Sequence, residues 1–148
     1  MSHRSLVATA SFALLLSFSS AGRTQEVDTA LRSAVAAADA AAGQSVSTRC
    51  SACHTFDENG PNRVGPNLYG VVGRVIGGKA GFNYSPPFQA LATAGDAWTF
   101  EKLDDFLADP RGTIPGTRMA VPGITNETDR HNLTAYLRSL STSPLPLQ

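Results

Sequence analysis

Cys50-Ser51-Ala52-Cys53-His54 is the stretch on which the reading of this chain turns. Residues three apart on a helix share a face, so both thiols can meet the two vinyl groups of one porphyrin. The imidazole of His54 follows directly and can reach a central iron from the same side. A C-x-x-C-H pattern therefore points to covalent attachment of one c-type haem. Two other readings of these residues are weaker. A Cys50–Cys53 disulfide suits an exported chain but leaves His54 without a role. Zinc needs four ligands, and Cys50, Cys53, His54 and His131 reach that number. Adjacent Cys53 and His54 in one short motif, however, suit a closed tetrahedral site poorly.

The chain offers few second axial ligands. Of its two methionines Met1 is the initiator, which leaves Met119; of its three histidines His3 lies in the N-terminal leader and His131 beyond the motif. Met119 follows Ile114-Pro115-Gly116-Thr117-Arg118, a Pro/Gly loop able to present a side chain inward. His131 precedes Leu133 by two positions on a helix whose apolar stripe is Leu133, Tyr136, Leu137 and Leu140. It is expected on a polar face, away from that stripe. Met119 is the favoured ligand and His131 the alternative.

Residues 1–21 read as a secretory signal peptide: His3 and Arg4, an apolar run over 6–18, then Ser19-Ser20-Ala21. The run is shorter than the ~20 apolar residues a spanning helix needs. Export to the periplasm with the leader cleaved is expected, and an uncleaved anchor is the alternative. Residues 22–148 suffice for one domain with a real core. Twelve basic residues balance twelve acidic ones, so charge gives no indication of nucleic acid or of a membrane surface as partner.

Residues 22–38 form an Ala-rich extension without apolar periodicity, a tail or a short extra helix. Asp39 is placed to cap a helix running to about Cys50. A long loop rich in Gly, Pro and Asn follows to about residue 85, and glycine lets backbone approach a flat ring closely. A short helix is expected over 88–94. Thr99 caps another over 100–108, with Leu103, Phe106 and Leu107 on one side, and Asp109-Pro110 ends it. The last helix runs over about 126–141, before a Pro-containing tail at 142–148. No stretch alternates as a strand does. The expectation is an all-α fold: three main helices, short helices and long loops around one haem.

Taken together the blocks resemble class I cytochromes c of the mitochondrial type and their small soluble bacterial relatives. They are Cys50-Ser51-Ala52-Cys53-His54-Thr55, Gly65-Pro66-Asn67-Leu68, Gly73-Arg74, Gly81-Phe82-Asn83-Tyr84-Ser85, Trp98, and Asp109-Pro110 through Met119. Leu133 through Leu137 matches the terminal helix, so the resemblance covers a domain at 39–141. It implies thioethers at Cys50 and Cys53, axial ligands His54 and Met119, and the Pro66 carbonyl as partner of the other imidazole nitrogen. It also implies that Arg74, Tyr84, Trp98 and Thr117 hydrogen-bond the haem propionates, which need pairing in a low-dielectric crevice.

Three positions depart from the pattern. Ser47 replaces an aromatic between the first and last helices, which leaves that pair looser unless the N-terminal segment covers it. Phe106 replaces a tyrosine near the Met sulfur, and Val121 an aromatic at the haem edge.

The resemblance implies a soluble, monomeric electron carrier with no catalytic residues. Its redox partners would include a cytochrome bc complex and a terminal oxidase, photosynthetic centre or dehydrogenase. The alternative is a peroxidase-like haem enzyme with a labile Met ligand. Glu101, Asp104 and Asp105 read as a solvated helix face; the resemblance implies that Arg49, Arg63, Arg111 and Arg118 match positions that ring the exposed haem edge in the family.

Overall fold

A computed structural model describes residues 20–148, so the expected leader lies outside the described residues except for its last two positions. Among the described residues six helices run in the order α1 Ser20–Ala37, α2 Ala40–Ser47, α3 Pro86–Ala94, α4 Phe100–Ala108, α5 Pro110–Thr113 and α6 Glu127–Ser139. The only β pairing among them is an isolated bridge between Val75 and Ala97, and the all-α expectation stands.

Side-chain caps open the elements that matter for the site. Asp39 accepts from the Ala41 and Ala42 amides at 2.8 and 3.1 Å to start α2. Thr99 accepts from Lys102 at 3.2 Å to start α4, and Asn126 from Asp129 at 2.9 Å to start α6. Such caps satisfy amides that the first helical turn leaves free. Asp109 ends α4 and accepts from Gly112 at 3.0 Å, so one residue closes one helix and opens α5.

The α2/α6 pair is close, not loose. A Cβ at Gly43 would enter the Asn132 carbonyl and stand 2.9 Å from the Tyr136 Cβ. Glycine and serine bring the two backbones together where a larger side chain would hold them apart. Ser47 is accordingly buried. The ring that meets Tyr136 comes from Phe56, with centroids 5.9 Å apart.

Residues 22–38 are almost wholly helical. The 18-residue α1 buries Val35, packs Leu31 on the core, and lies against α4 and α6. Arg32 stands 5.2 Å over the Phe100 ring, pairs with Asp28 at 2.6 Å and donates to the Pro146 carbonyl at 3.1 Å. Residues 142–148 are packed too: Leu145 and Leu147 rest on the core and Arg138 donates to the Leu145 carbonyl at 2.7 Å. Both segments flanking 39–141 thus pack on α6, and Arg32 joins them to each other.

The expected solvated carboxylate face divides in three. Asp105 is exposed. Asp104 forms a two-point pair with Arg130, at 2.8 and 3.2 Å, the side chains only 16 % and 11 % exposed. Glu101 buries one carboxylate oxygen without a hydrogen-bond partner. It lies beside Asp28, whose carboxyl is held below its usual range by hydrogen bonding with the Glu101 side chain and then by Arg32. Packing of α1 and α6 onto α4 is what removes these groups from water.

Candidate functional site

The Cys-Cys-His motif sits just past α2, on a run of tight turns. Cys50 donates to Ser47 at 2.8 Å, and Cys53 and His54 both donate to the Cys50 carbonyl, at 3.1 and 3.0 Å. The helix therefore ends earlier than the expected residue 50, but the turns keep both thiols and the imidazole on one short segment. Both cysteines are free and half-buried. Burial raises the Cys50 thiol above its usual range, and Arg49 only partly opposes this.

His54 is held from two sides. Its Nδ1 lies 2.7 Å from the Pro66 carbonyl oxygen. A carbonyl only accepts, so Nδ1 carries the proton and Nε2 keeps a lone pair for a metal. Burial pushes the imidazole pKa down despite the bond to Pro66, which favours the neutral, ligating form. On the other side, a Cβ at Gly65 would lie 2.7 Å from both ring nitrogens, so only glycine lets the backbone reach the ring.

The loop that carries Gly65 and Pro66 is tied to the motif by a residue whose structural role the sequence left unspecified. Asn67 is fully buried and donates to Thr55 Oγ1 at 2.8 Å and to the Asp57 carbonyl at 2.9 Å. Its own amide donates to Asn62 Oδ1 at 3.0 Å. Gly65 donates to the Cys53 carbonyl and Leu68 to that of Thr55, at 2.8 and 2.9 Å. Asparagine can saturate donors and acceptors of a loop in this way; its place in Gly65-Pro66-Asn67-Leu68 is the only sequence signal for it.

Arg74, Tyr84 and Trp98 come together in the fold. Trp98 donates through its amide to the Arg74 carbonyl at 2.9 Å, and Gly73 donates to that of Trp98 at 2.8 Å. Phe88 links the aromatic pair, stacked 5.7 Å from Tyr84 and tilted 6.3 Å from Trp98. Burial raises the Tyr84 phenol and lowers the Arg74 guanidinium from their usual values. Arg74 donates to the Tyr69 and Asn67 carbonyls at 3.0 and 3.1 Å, while its Nε is buried with no partner. Among the described residues no carboxylate pairs with it. Leaving a charged donor buried without a partner is costly unless an acceptor, best an anion, meets it.

Met119 lies half-buried against the core. Its amide donates to Thr117 Oγ1 at 3.2 Å, so that hydroxyl already serves the loop. Arg118 donates to the Asn83 carbonyl, and Gly116, at φ 84°, faces Pro87. The Met119 loop is thereby fixed beside the segment that carries Tyr84. His131 differs from its expectation: its side chain is 15 % exposed and its Nε2 is buried, 4.0 Å from Glu127. The face expected to be polar is therefore largely covered at this residue. Its polar neighbour belongs to its own helix.

These residues fit a haem. They provide two unbonded thiols, an imidazole with the distal nitrogen free, and a half-buried cation with a buried Nε and no counter-charge. Gly65→Ala is a direct test of the cradle. The methyl must displace His54 or the loop, which costs at least ~1–3 kcal/mol as overpacking does. Haem-loaded Gly65→Ala should melt at a lower temperature and show disturbed proximal coordination. A wild-type melt and spectrum would mean that the ring moves aside freely.

The family model described as "Cytochrome c" matches residues 40–141. A "Cytochrome c homolog" of Bradyrhizobium diazoefficiens is 51 % identical over 106 residues, which cover 71 % of this chain and 56 % of that protein. The chain thus spans little more than half the length of that relative. The "Cytochrome c2" of Agrobacterium tumefaciens is 43 % identical over 99 residues, covering 67 % of this chain and 89 % of that one. Among solved structures, "cytochrome cH from Methylobacterium extorquens" superposes with a TM-score of 0.60 at 40 % identity, covering 68 % of this chain and 98 % of that one.

Proposed function

The chain belongs to the cytochrome c family, and from that premise we propose that it is a soluble periplasmic electron carrier rather than an enzyme. One haem c is bound through Cys50 and Cys53, with His54 and Met119 as axial ligands. The observation that carries this reading is the Nδ1 contact of His54 with Pro66, which leaves Nε2 available for iron. Bound haem supplies a one-electron ferric/ferrous couple.

The chain's own residues set how that couple behaves. With His54 and Met119 both holding the iron, no coordination position would be open to substrate. A thioether ligand and apolar surroundings such as Trp98 and Phe106 favour the ferrous state and a positive midpoint potential. Arg74 would give its unpaired Nε to a propionate, with Tyr84, Trp98 and Thr117 as further donors.

Among the described residues no helix is long and apolar enough to cross a membrane. Partners are other redox proteins, such as a cytochrome bc complex and a terminal oxidase, photosynthetic centre or dehydrogenase. Arg49, Arg63, Arg111 and Arg118 are exposed as docking requires. Arg63 is fixed to the Ser51 carbonyl at 3.0 Å, beside the motif.

The ferric spectrum tests the reading. Low-spin haem with a weak Met–iron charge-transfer band is expected. High-spin bands and rapid peroxide turnover would favour the enzyme alternative.

A further inference from the structure

We infer that Arg130, gripped by Asp104, is a positioning residue that holds the downstream end of the Met119 loop; this rests on Met119 as an iron ligand. The loop has two anchors. Upstream, Ile114 donates to Pro110 and Thr117 to Ile114, both at 3.1 Å, and Met119 to Thr117 Oγ1. Downstream, Ile124 is buried and donates to the Leu107 carbonyl at 2.8 Å. Between them Ala120, Val121 and Pro122 are exposed and supply little packing.

One guanidinium joins the downstream anchor to two helices. Arg130 Nη1 donates to the Ile124 and Thr125 carbonyls, at 3.0 and 3.1 Å. Its Nε and Nη2 meet the two Asp104 oxygens. A planar fork with five donors can serve two carbonyls and a carboxylate at once, and lysine cannot. Gly123 completes the anchor, since a Cβ there would enter the Ala108 carbonyl. Releasing this end lengthens the free segment around Met119 and eases its departure from iron through local opening.

The experiment uses the haem-loaded full chain with Arg130→Lys, Asp104→Asn and, as a control on the same helix, Arg138→Lys. Three quantities are read: the pH at which the ferric Met–iron band disappears, the global unfolding midpoint, and hydrogen exchange at the Ile124 amide. Arg130→Lys and Asp104→Asn should lose the band at lower pH while helix content persists. Ile124 should exchange about tenfold faster or more, as expected when a local opening loses charge-assisted hydrogen bonds. Should Arg130→Lys fail to load haem, Asp104→Asn carries the test, because it keeps the Arg130 side chain and loosens only the carboxylate that grips it. Band loss that only tracks global unfolding, with Ile124 exchange no faster than in Arg138→Lys, would overturn the inference. A wild-type protein without the band would overturn the Met119 reading, and the inference with it.

Discussion

A chain in which Cys50 and Cys53 are both alanine should emerge without haem and largely unfolded. The helices are short: α2 to α5 have 8, 9, 9 and 4 residues. Isolated helices below ~12–15 residues are marginal in water, so these depend on packing. Between α2 and α3 the chain is turns and loop, with Gly70, Gly73, Gly77 and Gly81 all at positive φ. Such a stretch costs much conformational entropy to order and buries little by itself. The core is an aromatic group of Phe88, Trp98 and Phe106, with ring centroids 5.0 to 6.3 Å apart, together with scattered aliphatic residues. Half-buried Tyr84, Leu68 and Met119 flank it. A covalent porphyrin supplies the apolar surface that completes this core, at roughly 25 cal/mol per Å² buried. Each single cysteine variant should keep at most one thioether and a weaker fold. Far-ultraviolet dichroism and thermal melts of the three variants measure this. A haem-free double variant with native dichroism and a cooperative melt would show that the chain folds without the porphyrin.

Much of the site was legible because its chemistry demands rare residues in fixed spacing. Cys50, Cys53 and His54 are local in sequence, and the Pro66 contact follows from a family pattern that the structure reproduces. The amphipathic α4 and the stripe of α6 were legible for the same reason, periodicity being a local property. What escaped depends on contacts distant in sequence. Asp104 looks solvated until Arg130, 26 positions on, is packed against it. Leu31 and Val35, one turn apart, are too sparse to announce that α1 docks. His131 sits on a polar stripe whose burial depends on tertiary packing that the sequence of α6 alone does not announce. Ser47 shows a different limit. The lack of an aromatic there reads as lost contact unless another segment covers the pair, and the sequence does not reveal that Gly43 restores contact by letting two backbones approach.

The sharpest separation of ligand candidates is between Met119→Ala and His131→Ala. Met119→Ala removes the thioether and leaves a cavity that water can enter. Ferric haem should become high-spin or water-ligated. The midpoint potential should fall by on the order of 100 mV or more, within the ~0.8 V range that axial ligands command. Its direction follows from the preference of a thioether for ferrous iron. His131→Ala should alter neither spectrum nor potential. Its Nε2 is buried without a hydrogen-bond partner, and the nearest charge is Glu127, 4.0 Å away on α6. Removing it deletes an unsatisfied polar atom along with some packing, so the two effects partly offset and stability should change by no more than ~1 kcal/mol. Optical and magnetic spectra of both ferric variants, with potentiometric titration, decide the matter. If His131→Ala loses the low-spin spectrum while Met119→Ala keeps it, α6 must carry the ligand. That outcome would require α6 to rearrange when haem is loaded, because the His131 Nε2 is buried and its side chain only 15 % exposed.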